Sequence, residues 1–336
     1  MTDLRAAEFF AGIGLMRLGL EGAQVETAWA NDIEADKRDL YVANFGEEEF
    51  ILGDVRDVRG AQVPAVDIAT ASFPCTDLSL AGNRRGLGAE GAPRGTDGGS
   101  SMFWEFARVV SEMGSSRPPA VLLENVLGFA SSHGGRDLQE AVRTLNGLGY
   151  SCDLLAIDAR HFVPQSRPRM FIVGLLDPAG AERFTPFVDR PTWAHAFVRY
   201  NPEARVHAWP LPPLPVGPRS LGTLVERLAS DHADWWDYER VERFVDSLSP
   251  LQAERLVTLR DADAIEWRTA YRRTRNGRAV WEIRADRIAG CLRTARGGSS
   301  KQALVEVGAG DVRVRWMTPR EYARLMGADD FKLEAR

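Results

Sequence analysis

The sequence predicts an α/β protein built on a mostly parallel sheet, followed by a smaller, less regular region. Three observations carry this expectation. Up to residue 178, short apolar runs alternate with amphipathic stretches, as strands alternate with crossover helices in a parallel sheet. Several of these runs stop at glycine, proline or an acidic residue, the pattern of strands that deliver loops to one end of an open sheet. After Asp177-Pro178, the residues Pro186, Pro191, Pro202, Pro210, Pro212, Pro213, Pro215 and Pro218 interrupt any regular period through Arg219. A domain boundary is therefore expected near residue 178, dividing the chain into 1–178 and 179–336.

The first candidate strand, Arg5 to Phe10, runs into the glycine turn Ala11-Gly12-Ile13-Gly14 and then into a helix. Glycine lets backbone approach a ligand closely, and the helix start offers free N–H groups. The second strand, Val25 to Ala30, leads to Asn31-Asp32 and an amphipathic stretch from Glu34 to Asn44. Asp32 stands where a nucleoside-binding α/β domain places an acceptor for both ribose hydroxyls, and Asp54, after Leu52-Gly53, could accept from an adenine amino group. Either carboxylate could equally cap a helix or turn.

The third strand, Val66 to Ser72, ends in Phe73-Pro74-Cys75. A thiol delivered to a strand-end crevice is a candidate nucleophile, whereas Cys152 and Cys291 read as the apolar filler that free cysteine usually is. A loop holding Gly82, Gly86, Gly88, Gly91, Gly95, Gly98 and Gly99 follows, and so many glycines suit a segment that closes over a substrate. The helical stretch Phe103 to Met113 precedes the strand Ala120 to Leu123, which ends at Glu124-Asn125-Val126. Burial of Glu124 there would favour its protonated, donating form. Strands at Ser151 to Asp158 and Arg169 to Leu175 complete the set, and Gln165-Ser166-Arg167-Pro168-Arg169 between them supplies two guanidinium groups as fixed donors.

The bulk numbers agree with a folded, soluble-type chain. Its 336 residues suffice for two domains, and 44% hydrophobic with 26% charged residues is ordinary for a globular protein. Three cysteines with no C-x-x-C spacing point to a reducing compartment and to no metal site. No apolar stretch is long enough to cross a bilayer, and the N-terminus lacks a secretory pattern, so a cytoplasmic protein with no membrane partner is expected. The net charge of −5 conceals a polarised distribution: nine arginines against two acids from Arg268 to Arg296, and ten acids against four arginines from Asp231 to Glu266. The basic run is either a solvated face or a phosphate-binding surface.

Taken together, these segments resemble the DNA (cytosine-5)-methyltransferases. The matching pieces are FAGIG at 10–14, ND at 31–32, GD at 53–54, PC at 74–75 with its glycine loop, ENV at 124–126, QSRPR at 165–169 and the stretch Arg315 to Gly327, in the family's usual order. The resemblance implies a doubly wound, Rossmann-like domain that binds S-adenosylmethionine, plus a smaller target-recognition domain that includes a supporting segment at 312–330, with double-stranded DNA between them. Phe10, Gly12 and Gly14 would line the methionine side of the cofactor, Asp32 the ribose and Asp54 the adenine, with Ile13, Ile33, Val55 and Pro74 completing that set. Cys75 would be the nucleophile, Glu124 would meet the N3/N4 edge of cytosine, and Arg169, supported by Arg167, its O2. Gln165 would shape the closed catalytic loop, and Ser79, Arg272, Arg273, Arg275, Arg293 and Arg296 would contact DNA.

The chemistry needs these residue types. Cytosine C5 becomes nucleophilic only after a thiolate adds at C6 while an acid at N3 receives electron density, and the base must first leave the stacked duplex at roughly a few kcal/mol. Two departures from the family stand out. Threonine follows Pro74-Cys75 where the family has glutamine, and the family's Gly-Asn-x-Val closing segment is not found before Arg336. The latter suggests a truncated sequence, a second chain that supplies the segment, or a protein that binds the cofactor weakly or not at all. The expected role is modification of DNA in a restriction-modification or phage-defence system with its cognate partner. The alternatives are an RNA (tRNA) cytosine-5 methyltransferase and a non-catalytic DNA-binding module.

Overall fold

The structure, a computed structural model, describes residues 4–75, 86–87, 101–178, 190–275, 277–292 and 301–334. The chain divides into two compact units. The first comprises Met1–Ile157, Pro168–Pro212 and Glu334–Arg336, and the second Asp158–Arg167 and Pro213–Leu333.

The first unit is built on a seven-stranded sheet: β1 (Leu4–Phe9), β2 (Val25–Asp32), β3 (Phe50–Leu52), β4 (Ile68–Ala71), β5 (Ala120–Val126), β6 (Ser151–Asp158) and β7 (Pro168–Leu175), in the order β3-β2-β1-β4-β5-β7-β6. β1 pairs in parallel with β2 and β4, as β2 does with β3 and β4 with β5, while β7 runs antiparallel to β5. The expected doubly wound, mostly parallel sheet is present, with β7 reversed relative to β5.

The helices α1 (Leu15–Gly22), α2 (Ala35–Phe45), α3 (Met102–Glu112), α4 (Arg136–Gly147) and α5 (Thr192–Tyr200) accompany this sheet. α3 buries Phe103, Phe106, Ala107 and Val110, and α4 buries Leu138, Ala141, Val142 and Leu145. Both sets follow the i, i+3, i+4, i+7 spacing of one apolar helix face. Phe106 packs edge-on to Phe9 of β1, ring centroids 5.1 Å apart, which ties α3 to the centre of the sheet. Residues beyond the proline-rich onset still belong here: Ala194 and Phe197 of α5 join the same core, and Arg190 forms a buried double hydrogen bond with Asp153 of β6.

Three local differences stand out, two of them with a physical reason. β5 extends past Leu123 to Val126 because β7 supplies it with an antiparallel partner that far, Val126 standing opposite Arg169. β3 was not foreseen, since three residues show no period. It is held to β2 by the Asn31 amide, which donates to the carbonyls of Ile51 and Gly53. The strand expected from Val66 begins at Ile68.

The second unit is more ordered than its prolines suggest. Four antiparallel strands, β8 (Glu266–Arg275), β9 (Arg278–Ile283), β10 (Gln302–Gly308) and β11 (Asp311–Trp316), form a sheet in the order β11-β10-β8-β9, accompanied by α6 (Tyr238–Asp246), α7 (Pro250–Arg260) and α8 (Pro319–Leu325). The arginines of β8 hid its strand character: its first half is buried and its last four residues are exposed. α8 opens with a capping box between Thr318 and Glu321 and with Pro319 at its first position, a start signal visible in the sequence. Glu321 also pairs with Arg315 in the core of this unit, Nη1 to Oε2 at 2.8 Å, with both side chains almost wholly buried.

Candidate active site

The topology of the first unit sets the site. Because β1 to β5 are parallel, their C-terminal ends share one edge of the sheet, and the reversed β7 brings its N-terminal end to the same edge. Read across the sheet from β3 to β7, that edge carries Asp54, Asp32, the Phe10–Gly14 turn, Pro74-Cys75, Glu124 and Arg169. Neighbouring strands lie about 4.8 Å apart, so these six positions form a continuous shelf. The strand order reverses between β1 and β4, the place where open α/β sheets bind ligands.

The half of the shelf over β3, β2 and β1 is preorganised by backbone. Phe10, Gly12 and Gly14 have φ of 58°, 59° and 89°, left-handed positions in a tight turn ahead of α1 that is closed by the Gly14 N–H donating to the Ala11 carbonyl at 2.9 Å. Gly14 has a second constraint, because a Cβ there would sit 2.4 Å from a ring carbon of Phe45. Asp32 is buried, and its two carboxylate oxygens accept from the backbone N–H groups of Gly12, at 2.8 Å, and Glu34, at 2.9 Å. Each oxygen keeps a lone pair for a ligand. Ile33 beside it is 60% exposed, an apolar side chain facing outward next to a buried acid, while Val55 is buried. Asp54 caps the short turn Val55–Asp57 through the N–H of Arg56, whose guanidinium also reaches both of its oxygens, with Nη2 at 2.8 Å. These features fit a nucleoside carrying a charged tail: an anchored carboxylate, open glycine backbone and an apolar face.

Below this turn lies a group that sequence reasoning did not single out. Glu8 on β1 is 2% exposed, and its Oε2 has no hydrogen-bond partner. Burial pushes its carboxyl up to about 8, and the charges of Asp32 and Glu21 add to that, against the pull of the Arg17 backbone N–H and guanidinium. Its contribution to stability is intact below the ordinary carboxylate range, where folded and unfolded chains are both protonated. As pH rises the unfolded chain releases its proton first, so stability falls by roughly 3–5 kcal/mol between about pH 4.5 and 8. We expect Glu8→Gln, which mimics the protonated form, to flatten this decline, as read from urea midpoints at pH 5.5 and pH 8.

The half over β4, β5 and β7 gathers the reactive types. Phe73 is buried between Phe103 and Phe129, and its carbonyl accepts from the Asn125 amide at 3.1 Å. Asn125, itself 4% exposed, thereby ties the chain two residues before Cys75 to the residue after Glu124. Cys75 is a half-buried thiol that forms no disulfide. On the neighbouring strands Glu124 and Val126 share a face, and Arg169 stands opposite Val126, which makes Glu124 and Arg169 diagonal neighbours. Their side chains meet, Arg169 Nε donating to Glu124 Oε1 at 2.8 Å. Glu124, expected as a buried carboxyl at an apolar strand end, is thus part of an ion pair. At 22% and 15% exposure the pair is shielded yet reachable.

Gln165 and Arg167 belong to the second unit. Gln165 is fully buried, its Oε1 accepting from Leu292 N at 3.0 Å and its Nε2 donating to the Leu325 carbonyl at 2.6 Å. Arg167 donates through Nη1 to the Leu292 carbonyl at 3.0 Å and lies 3.5 Å from the Cys291 sulfur, while its backbone N–H is held by Asp158. Both residues fix the segment that enters β7. Of the expected DNA contacts, Arg272, Arg273 and Arg275 lie on β8. Ser79, Arg293, Arg296 and most of the glycine loop lie outside the described residues. Among the described residues no cluster of histidine, cysteine and acidic side chains could hold a metal, and no helix is long and apolar enough to cross a membrane.

Fold and site together define a Rossmann-like methyltransferase architecture: a doubly wound, mostly parallel sheet with a thiol, an acid and a guanidinium at one end, accompanied by a small antiparallel-sheet unit. The chain belongs to the C-5 cytosine-specific DNA methylase family, whose profile matches residues 4–335. It is 31% identical over 185 residues to the type II methyltransferase M.HhaI of Haemophilus parahaemolyticus, spanning 55% of this chain and 53% of that protein. To M.BanI of Aneurinibacillus aneurinilyticus it is 36% identical over 180 residues, 52% of this chain and 39% of the relative. The chain thus spans about half the length, or less, of these relatives. In fold it is similar to the crystal structure of the S. pombe Dnmt2 methyltransferase, with a TM-score of 0.60 at 16% identity over 99% of this chain and 90% of the other.

Proposed function

We propose that this protein transfers a methyl group from S-adenosylmethionine to C5 of a cytosine flipped out of duplex DNA, through a covalent adduct at Cys75. The observation that carries the reading is the junction of β4, β5 and β7, where Asn125 ties the Phe73-Pro74-Cys75 turn beside the Glu124–Arg169 pair. The Cys75 thiolate adds to C6, Glu124 meets the N3/N4 edge and Arg169 holds O2, so that electron density moves to C5. Arg167 and Gln165 act as positioning residues for Arg169, because both brace the segment leading to it.

S-Adenosylmethionine supplies a methyl group on a sulfonium when bound. Phe10, Gly12, Ile13 and Gly14 hold its methionine side, Asp32 and Ile33 the ribose, Asp54 and Val55 the adenine, and Pro74 closes the set next to Cys75. The first unit serves as the catalytic domain and the second as the target-recognition domain, in which Arg272, Arg273 and Arg275 neutralise phosphates. The type II names of the relatives support a place in a restriction-modification system.

The test is transfer of tritiated methyl groups to duplex DNA and to tRNA in parallel, followed by bisulfite sequencing of the labelled DNA. Labelling of duplex DNA at cytosine C5 supports the proposal; labelling of tRNA alone moves the activity to RNA.

A further inference from the structure

The second unit holds a cavity whose aromatic lining has no role above, although one of its arginines, Arg272, was assigned to phosphate. It measures about 290 Å³, and its lining includes Trp236, Phe244, Trp281, Trp316, Arg240 and Arg272. The three indoles pack at mutual angles of 47° to 73° with centroids 5.2–5.8 Å apart, forming a rigid aromatic wall. Arg240 lies over it, its guanidinium carbon 4.0 Å from the Trp236 ring centre and 5.6 Å from that of Trp316.

Strand alternation then separates the arginines of β8. Arg272 stands opposite Trp281 and shares its face, whereas Tyr271, Arg273 and Arg275 point to the other side. On that other side Glu282 pairs with Arg275 at 2.6 Å and reaches Arg273 at 4.0 Å. On the cavity side no carboxylate appears in the lining, and among the described residues neither the Arg240 nor the Arg272 guanidinium forms an ion pair, the Asp237 carboxylate accepting only from the Arg240 backbone N–H. The Trp236 indole N–H, on a side chain 9% exposed, also lacks an acceptor. The Arg240 guanidinium above flat aromatic faces, the Arg272 guanidinium in the same lining and one spare buried donor suit a ligand that is planar at one end and anionic at the other. A nucleotide is such a ligand, and the volume suits one unit rather than a longer segment.

We propose that this cavity seats one nucleotide of the DNA substrate outside the reacting centre, its base stacked on the indoles and its phosphate held by Arg240 and Arg272. The proposal rests on DNA as substrate, which the proposed function supplies. Stacking of this kind tolerates any base, so the cavity would add affinity and register rather than read sequence.

The experiment follows indole fluorescence of the full chain during titration with a short single-stranded oligonucleotide, an abasic oligonucleotide of equal length and a deoxynucleoside monophosphate. We expect saturable quenching by the base-bearing strand, about tenfold weaker binding of the abasic strand, and loss of that difference in the Arg240→Gln/Arg272→Gln double variant. Trp281→Phe should reduce the quenching while the protein stays folded. Arg275→Gln, on the opposite face, should weaken both strands equally. Equal binding of base-bearing and abasic strands by the unaltered protein, or a double variant that keeps the difference, overturns the proposal. So does a monophosphate that binds but is not displaced by the oligonucleotide. None of these readings needs methyl transfer, so failure of the catalytic assignment would be recognised separately.

Discussion

Replacing Cys75 by serine is expected to lower methyl transfer by at least about 10⁴-fold while leaving the fold and ligand binding intact. A serine hydroxyl is almost entirely protonated at neutral pH and adds poorly to an aromatic carbon, whereas a thiol offers a few per cent of a strongly nucleophilic anion. The swap changes one atom on a half-buried side chain, and the turn is fixed by the Phe73 carbonyl and its ring contacts rather than by the sulfur. Stability should therefore hardly move. The internal control is Cys152, which is wholly buried, with its thiol pushed up to about 12 by desolvation. It has no thiolate to offer at neutral pH, so Cys152→Ser should lower stability and leave the rate per folded molecule unchanged. Single-turnover transfer of tritiated methyl groups, paired with thermal unfolding, measures both.

The second large effect is expected at Glu124. Glutamine there keeps the shape and can still accept from Arg169 Nε, so the contact now seen at 2.8 Å survives as a neutral hydrogen bond. What it loses is the ability to exchange a proton with the ring nitrogen of the target base. The rate should fall about 10²- to 10⁴-fold, the usual worth of a positioned acid or base, with DNA affinity little changed. A variant that binds DNA normally and reacts slowly would separate the proton-handling role from the structural one. Loss of binding in parallel with loss of rate would instead make Glu124 part of the scaffold.

Much of the sheet was legible because its signals are local. The glycine turn after β1, the acid after β2 and the proline after β4 each punctuate an apolar run, and parallel pairing then carries them to one edge. The Glu124–Arg169 pair was not legible as a pair. It depends on β7 running against β5, which sets Arg169 opposite Val126, and a register between distant strands leaves no trace in either segment. Asn125 was read as part of a motif, but its grip on the Phe73 carbonyl follows only from strand adjacency. The second sheet was hidden because β8 carries four of the arginines that made the region look like a charged surface. Its aromatic wall draws Trp236 from the loop before α6, Trp281 from β9 and Trp316 from β11, a convergence only the fold creates. Glu8 illustrates the converse: its type was plain, but its burial came from the sheet packing around it.

The central claim is that the Cys75 sulfur attacks the cytosine ring. Its most direct test is to incubate the protein with S-adenosylmethionine and duplex DNA carrying 5-fluorocytosine, in which fluorine replaces the proton that must leave C5 before the thiol can be released. The account predicts a stable protein–DNA adduct whose mass places the DNA on the peptide containing Cys75, and no adduct for Cys75→Ser. Methylation of ordinary duplex DNA without any adduct on the fluorinated strand, or an adduct mapped to Cys152 or Cys291, would contradict it.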